Sequence, residues 1–83
     1  MTEEQKKEQV QKVLELLSMV YRGRALSDSA ETRRLSFSDM GLSSLTLASV
    51  VVELEDRLDR AFDFKAFAGV DDVGGLLRAI GLA

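Results

Sequence analysis

An 83-residue chain that is 46% hydrophobic and 30% charged is one small folded domain with room for a single modest core. Its formal charge of −3 argues against a nucleic-acid binder. The lack of Cys and His removes disulfides, a thiolate nucleophile, a zinc site and the usual general base.

The opening, "MTEEQKKEQVQK", is charged throughout, so it is neither a signal peptide nor a membrane span, and a cytoplasmic protein is expected. Val10, Val13, Leu14, Leu17, Val20 and Tyr21 then recur at helical spacing and predict a first helix. Thr2 with Gln5 can form a capping box, and Gly23 sits where such a helix stops. Glu3–Lys7 and Glu8–Lys12 are favourable i,i+4 pairs on its wet face. From Arg24 to Ser43 the periodicity fades into a long loop, "RALSDSAETRRLSFSDMGLS". Leu26, Leu35, Phe37, Met40 and Leu42 anchor it, with one helical turn expected near Phe37 to Met40. A loop this long is uncommon in a compact domain unless it has a task.

A second helix should begin at Ser43 or Ser44 and run to about Ala61. Leu47, Val50, Val51, Leu54, Leu58 and Phe62 share one face, while Leu45, Ala48 and Val52 form a neighbouring flank. The run Val50-Val51-Val52 has poor helix propensity, but Glu53–Arg57 and Asp56–Arg60 supply i,i+4 pairs. "FDFKAFAG" reads as a connector with at most a short helix. In "VDDVGGLLRAI", Asp71 or Asp72 caps a last helix whose stripe is Val73, Leu76, Leu77 and Ile80. Gly74 and Gly75 weaken that helix by roughly 1 kcal/mol each relative to alanine. The expected fold is all-α: one small bundle of three main helices plus a short fourth, with a long loop between the first two.

Little catalytic chemistry fits these residues. "GLSSL" is not a nucleophile elbow, because no glycine stands two residues after either serine, and no histidine can activate a hydroxyl. Glu53, Glu55, Asp56 and Asp59 lie among arginines and read as solvated surface. A calcium loop from Asp28 lacks its glycine and carries Arg33 and Arg34 at would-be ligand positions. No catalytic and no metal-ligating residues are therefore assigned. The two serines remain. Serine is a favoured N-cap, so Ser43 can cap the helix while Ser44, its first residue, points outward. A hydroxyl there lies near free amides and the positive end of the helix dipole, a favourable place for a phosphate ester.

The stretch Phe37 to Asp59 resembles the signature of the acyl and peptidyl carrier proteins, in which G-[LIVF]-D-S-[LIV] leads into the second helix. Gly41-Leu42-Ser43-Ser44-Leu45 is similar to that pattern, and "VELEDRLD" and "VDDVGGLLRAI" resemble the later helices. The resemblance implies a 4′-phosphopantetheine arm on Ser44, installed from coenzyme A by a magnesium-dependent phosphopantetheinyl transferase. It implies a non-enzymatic carrier that shuttles thioester-bound cargo between acyl-activating, condensing or acyl-transfer enzymes. Leu45, Ala48 and Val52, with Glu53 and Asp56, would meet those partners or the cargo, with core packing the alternative for Ala48 and Val52. The family's Asp before the serine is Ser43 here. Thr46 and Ser49 stand where fatty-acid carriers often place carboxylates, and Arg22, Arg24, Arg33 and Arg34 make the loop basic. These departures imply a specialised carrier. Met1 opening directly into the first helix and Ala83 ending just after the last lead to the expectation of a freestanding, monomeric protein. The negative charge and the "ELED" run resemble acyl carriers, which implies polyketide-type or fatty-acyl cargo in secondary-metabolite or modified-lipid synthesis. The alternatives are an aminoacyl carrier or a carrier-fold interaction module without a prosthetic group. A helix-turn-helix nucleic-acid binder is a weaker third reading.

Overall fold

The computed structural model of the chain describes residues 2–82 and is helical, with a single isolated β-bridge and no named strand among those residues. Met1 and Ala83, on which the expectation of a freestanding protein rests, lie outside them. Helix α1 spans Glu3–Val20. Thr2 Oγ1 accepts the Gln5 amide at 3.1 Å and the Gln5 side chain accepts the Thr2 amide at 2.9 Å, closing the capping box. Val10, Val13, Leu14, Leu16 and Leu17 are buried along one face. The helix ends before Gly23. Arg22 takes the left-handed conformation, with φ 55°, at the position that glycine usually fills, and the Gly23 amide returns to the Ser18 carbonyl at 2.9 Å. Neither Glu3–Lys7 nor Glu8–Lys12 forms an ion pair, as solvent competes effectively for exposed charges.

The expected loop contains a helix that its sequence hides. Helix α2 is one turn, Ala30–Arg33, capped by Ser29, whose Oγ accepts the Thr32 amide at 3.1 Å. Arg33 makes a two-pronged ion pair with Asp28, at 2.8 and 3.0 Å, which holds the Asp28 carboxyl below its ordinary range. Near Phe37 to Met40 there is a turn closed by the Met40 amide on the Ser36 carbonyl at 3.1 Å, not a regular helix. Phe37 and Met40 are buried anchors as expected.

Helix α3 spans Ser44–Leu58 and packs against α1. Val50, Val51 and Leu54 are almost completely buried, and this burial outweighs the weak propensity of the valine run. The helix stops short of Ala61. Asp59 turns left-handed, with φ 51°, and the Arg60 amide closes on the Glu55 carbonyl at 3.0 Å. Asp56–Arg60 consequently does not form. Arg60 instead lies 5.1 Å over the Phe62 ring. Phe62 itself falls in the connector, where its amide donates to Glu55 Oε2 at 2.9 Å.

A 3₁₀ turn, Phe64–Phe67, and helix α4, Val73–Ala79, complete the bundle. Asp72 is the α4 cap, its Oδ1 accepting the Gly75 amide at 2.6 Å. An antiparallel bridge joins Ser36 to Asp72: the Phe37 amide meets the Asp71 carbonyl at 2.8 Å and the Val73 amide meets the Leu35 carbonyl at 3.0 Å. The long loop is thereby tied to the start of α4. Gly74 has a reason that propensity alone does not supply. A Cβ there would lie 3.0 Å from the Arg33 carbonyl, because α2 packs backbone-close on α4. Gly74→Ala should therefore destabilise by about 1–3 kcal/mol, not stabilise by the roughly 1 kcal/mol that helix propensity predicts. Urea unfolding measures the sign directly.

Candidate functional site at the start of α3

The residues leading into α3 are held before the helix begins. Buried Phe37 and Met40 fix the loop, and the Leu42 amide closes on the Phe37 carbonyl at 2.8 Å. Gly41, with φ 77°, makes the left-handed turn that aims the chain into the helix. Ser43 is then extended, at φ −82° and ψ 167°, and its Oγ accepts the Thr46 amide at 3.2 Å. The Thr46 hydroxyl lies 3.1 Å from the same oxygen. Ser43 is thus occupied as the helix cap. Ser43→Ala should cost about 1 kcal/mol, and Ser43→Asp close to nothing, since aspartate caps as well as serine. A shift in urea midpoint at constant slope reads this.

Ser44 is the first residue of α3 and exposed. It stands on the shared rim of two hollows. One, of about 290 Å³, runs along the Leu47, Ala48 and Val51 face of α3 toward Phe64, Phe67 and Val70. The other, of about 260 Å³, lies toward the loop and is lined by Ser36, Phe37, Leu42 and Asp71. The aromatic wall of the first is braced by edge-to-face stacking of Phe62 and Phe64 on Phe67, at 5.9 and 6.3 Å. Phe67 is buried and Phe64 is 55% exposed at the mouth.

The structure brings Ser44 and half-buried Ala48 together on this groove. Leu45 and Val52 face solvent instead, at 79% and 58% exposure, with exposed Glu53 and Asp56 on the same helix. Core packing, the alternative for Val52, is thus excluded. Glu53 reaches Arg57 at 3.4 Å.

An exposed hydroxyl at a helix N-terminus can hold a phosphate ester where free amides and the dipole favour negative charge. No carboxylate stands in the first turn of α3 to oppose it. The residues therefore fit a phosphate-linked arm. A family model described as a phosphopantetheine attachment site matches residues 23–80. The chain belongs to the phosphopantetheine-attachment family of carrier proteins. Members of this family carry 4′-phosphopantetheine covalently, and as carriers they are generally non-catalytic and work with partner enzymes. No curated protein and no solved structure matches the chain. For this carrier, the described residues hold no grouping of His, Cys, Asp and Glu suited to a metal, and no described helix is long and apolar enough to cross a membrane.

Sequence reasoning missed the far wall of the groove, Phe64, Phe67 and Val70. The available signal was "FDFKAF", three aromatics in a connector, more apolar surface than a solvated link requires.

Proposed function

We propose that Ser44 bears the phosphopantetheine arm and that the chain is a specialised carrier of acyl cargo in secondary-metabolite or modified-lipid synthesis. The observation that carries this reading is the division of labour between the two serines. Ser43 Oγ is committed to the Thr46 amide, while Ser44 is exposed at the mouth of an apolar groove. When attached, the arm supplies a terminal thiol on which cargo is held as a thioester. The chain's own residues present the hydroxyl, keep carboxylates out of the first turn of α3, and offer Leu47, Ala48, Val51 and Phe64 beside it. Activation of the hydroxyl falls to the transferase, since the chain has no histidine to act as a base.

Acyl rather than aminoacyl cargo is favoured by that lining, which is mainly aliphatic and aromatic. Leu45 and Val52, exposed on α3 beside Glu53 and Asp56, form the surface proposed for partner enzymes. The test is intact mass after incubation with coenzyme A, magnesium and a broad-specificity phosphopantetheinyl transferase. A gain of one phosphopantetheinyl group is expected. An unchanged mass, both here and after expression in the native host, would leave a carrier fold used only for protein–protein contact.

A further inference from the structure

We propose that a notch on the loop side of Ser44 docks an acidic segment of a partner protein through Arg22 and Arg24. The notch encloses about 320 Å³ and is lined by Tyr21, Arg22, Arg24, Asp39, Met40 and Gly41. Its Gly41 wall continues through Leu42 and Ser43 into α3, so an occupant sits next to the start of that helix.

The first observation is Arg22 itself. It is exposed and holds φ 55°, a conformation that suits glycine and strains other residues. The turn at the end of α1 would close equally well with glycine there. Arginine here brings a charged side chain to the notch at a position where glycine would carry less backbone strain.

The second observation is Arg24. Its guanidinium lies 5.3 Å over the Tyr21 ring, and its Nη1 donates to Tyr21 Oη at 3.2 Å. The group is held in place before any partner arrives, which lowers the ordering cost of binding. Neither arginine is paired with a carboxylate. Among the described residues the ion pairs are Arg33–Asp28 and Arg57–Glu53, and Asp39, although it lines the notch, pairs with neither Arg22 nor Arg24.

The charge layout selects the partner. α3 presents exposed Glu53 and Asp56, whereas the loop side presents Arg22 and Arg24. A surface of opposite layout is both steered and oriented by this contrast. Two arginines beside an aspartate, on a chain of net charge −3, are too few for a polyanionic nucleic acid or lipid surface. The proposal does not depend on which serine bears the arm.

The bland alternative is that Arg22 and Arg24 only complement the negative end of the α1 dipole. That role predicts loss of stability on removing Arg22, whereas relief of backbone strain predicts a gain. The test titrates the full isotope-labelled chain with an uncharged-end hexaglutamate peptide, following backbone amides by NMR, and measures Tm in parallel. Saturating shifts are expected at residues 21–24 and 40–41. Apparent Kd should weaken about fivefold in each of Arg22→Gly and Arg24→Gln. Arg22→Gly should also raise Tm by about 3 °C. Shifts centred on Lys6, Lys7 and Lys12, unchanged affinity in both variants, or a lowered Tm in Arg22→Gly would overturn the proposal. Tighter binding of duplex DNA or phosphatidylglycerol vesicles at the same amides would also overturn it, in favour of a general polyanion site.

Discussion

Ser44→Ala should abolish attachment of phosphopantetheine and leave the fold intact. The side chain is exposed at the first position of α3, and its oxygen caps nothing. Alanine is a good helix former, so stability should stay within about 0.5 kcal/mol of the parent. With coenzyme A, magnesium and a transferase, intact mass should show one added group on the parent and none on the variant. Ser43→Ala should still accept the group, because its hydroxyl serves the Thr46 amide rather than the cofactor. Ser43→Asp keeps the cap and supplies the aspartate that precedes the serine in the family pattern, so it should load at least as fast as the parent. Blockage by Ser43→Ala alone, with Ser44→Ala still loading, would move the arm to Ser43.

Leu54→Ala tests the opposite face of the same helix. Leu54 is completely buried in the cluster that joins α1, α3 and α4. Truncation leaves a cavity and should cost roughly 3–5 kcal/mol. Stability of a domain this size is only about 5–10 kcal/mol, so the loss is about a third of it or more. Tm should fall by about 15–30 °C. Leu45→Ala is the control. At 79% exposure, the side chain should change stability by no more than about 0.5 kcal/mol. If the two variants were equally destabilised, the division of α3 into a packed face and a solvent face would be wrong.

The long elements were legible because periodicity reports burial. The stripe from Val10 to Leu17 is buried in α1, and the face of Val50, Val51, Leu54 and Leu58 is buried in α3. The Thr2–Gln5 box, the Ser43 cap and the Asp72 cap were readable for a related reason, since capping is a short-range matter of side-chain reach. α2 was not legible. One turn offers no repeat to detect, and its capping Ser29 looks like any polar loop residue. The end of α3 was misplaced because glycine is the usual mark of a left-handed stop, and here Asp59 makes it. After α1, likewise, a left-handed turn residue is Arg22, one position before the glycine that was expected to mark the stop. At the site, helical spacing grouped Ala48 with Leu45 and Val52, and of these three only Ala48 lines the groove beside Ser44. The aromatic wall could not be placed, since nothing local says that Phe64 and Phe67 fold back across the start of α3. Gly74 shows the same limit: its need arises from a carbonyl of α2, distant in the chain.

The bridge between Ser36 and Asp72 couples the presentation of Ser44 to a distant part of the chain. Loop residues ahead of Ser44 exchange backbone hydrogen bonds with the start of α4: the Phe37 amide with the Asp71 carbonyl, and the Val73 amide with the Leu35 carbonyl. Local opening of α4 would therefore also loosen the turn that leads into α3, so these two amides should lose hydrogen-exchange protection together.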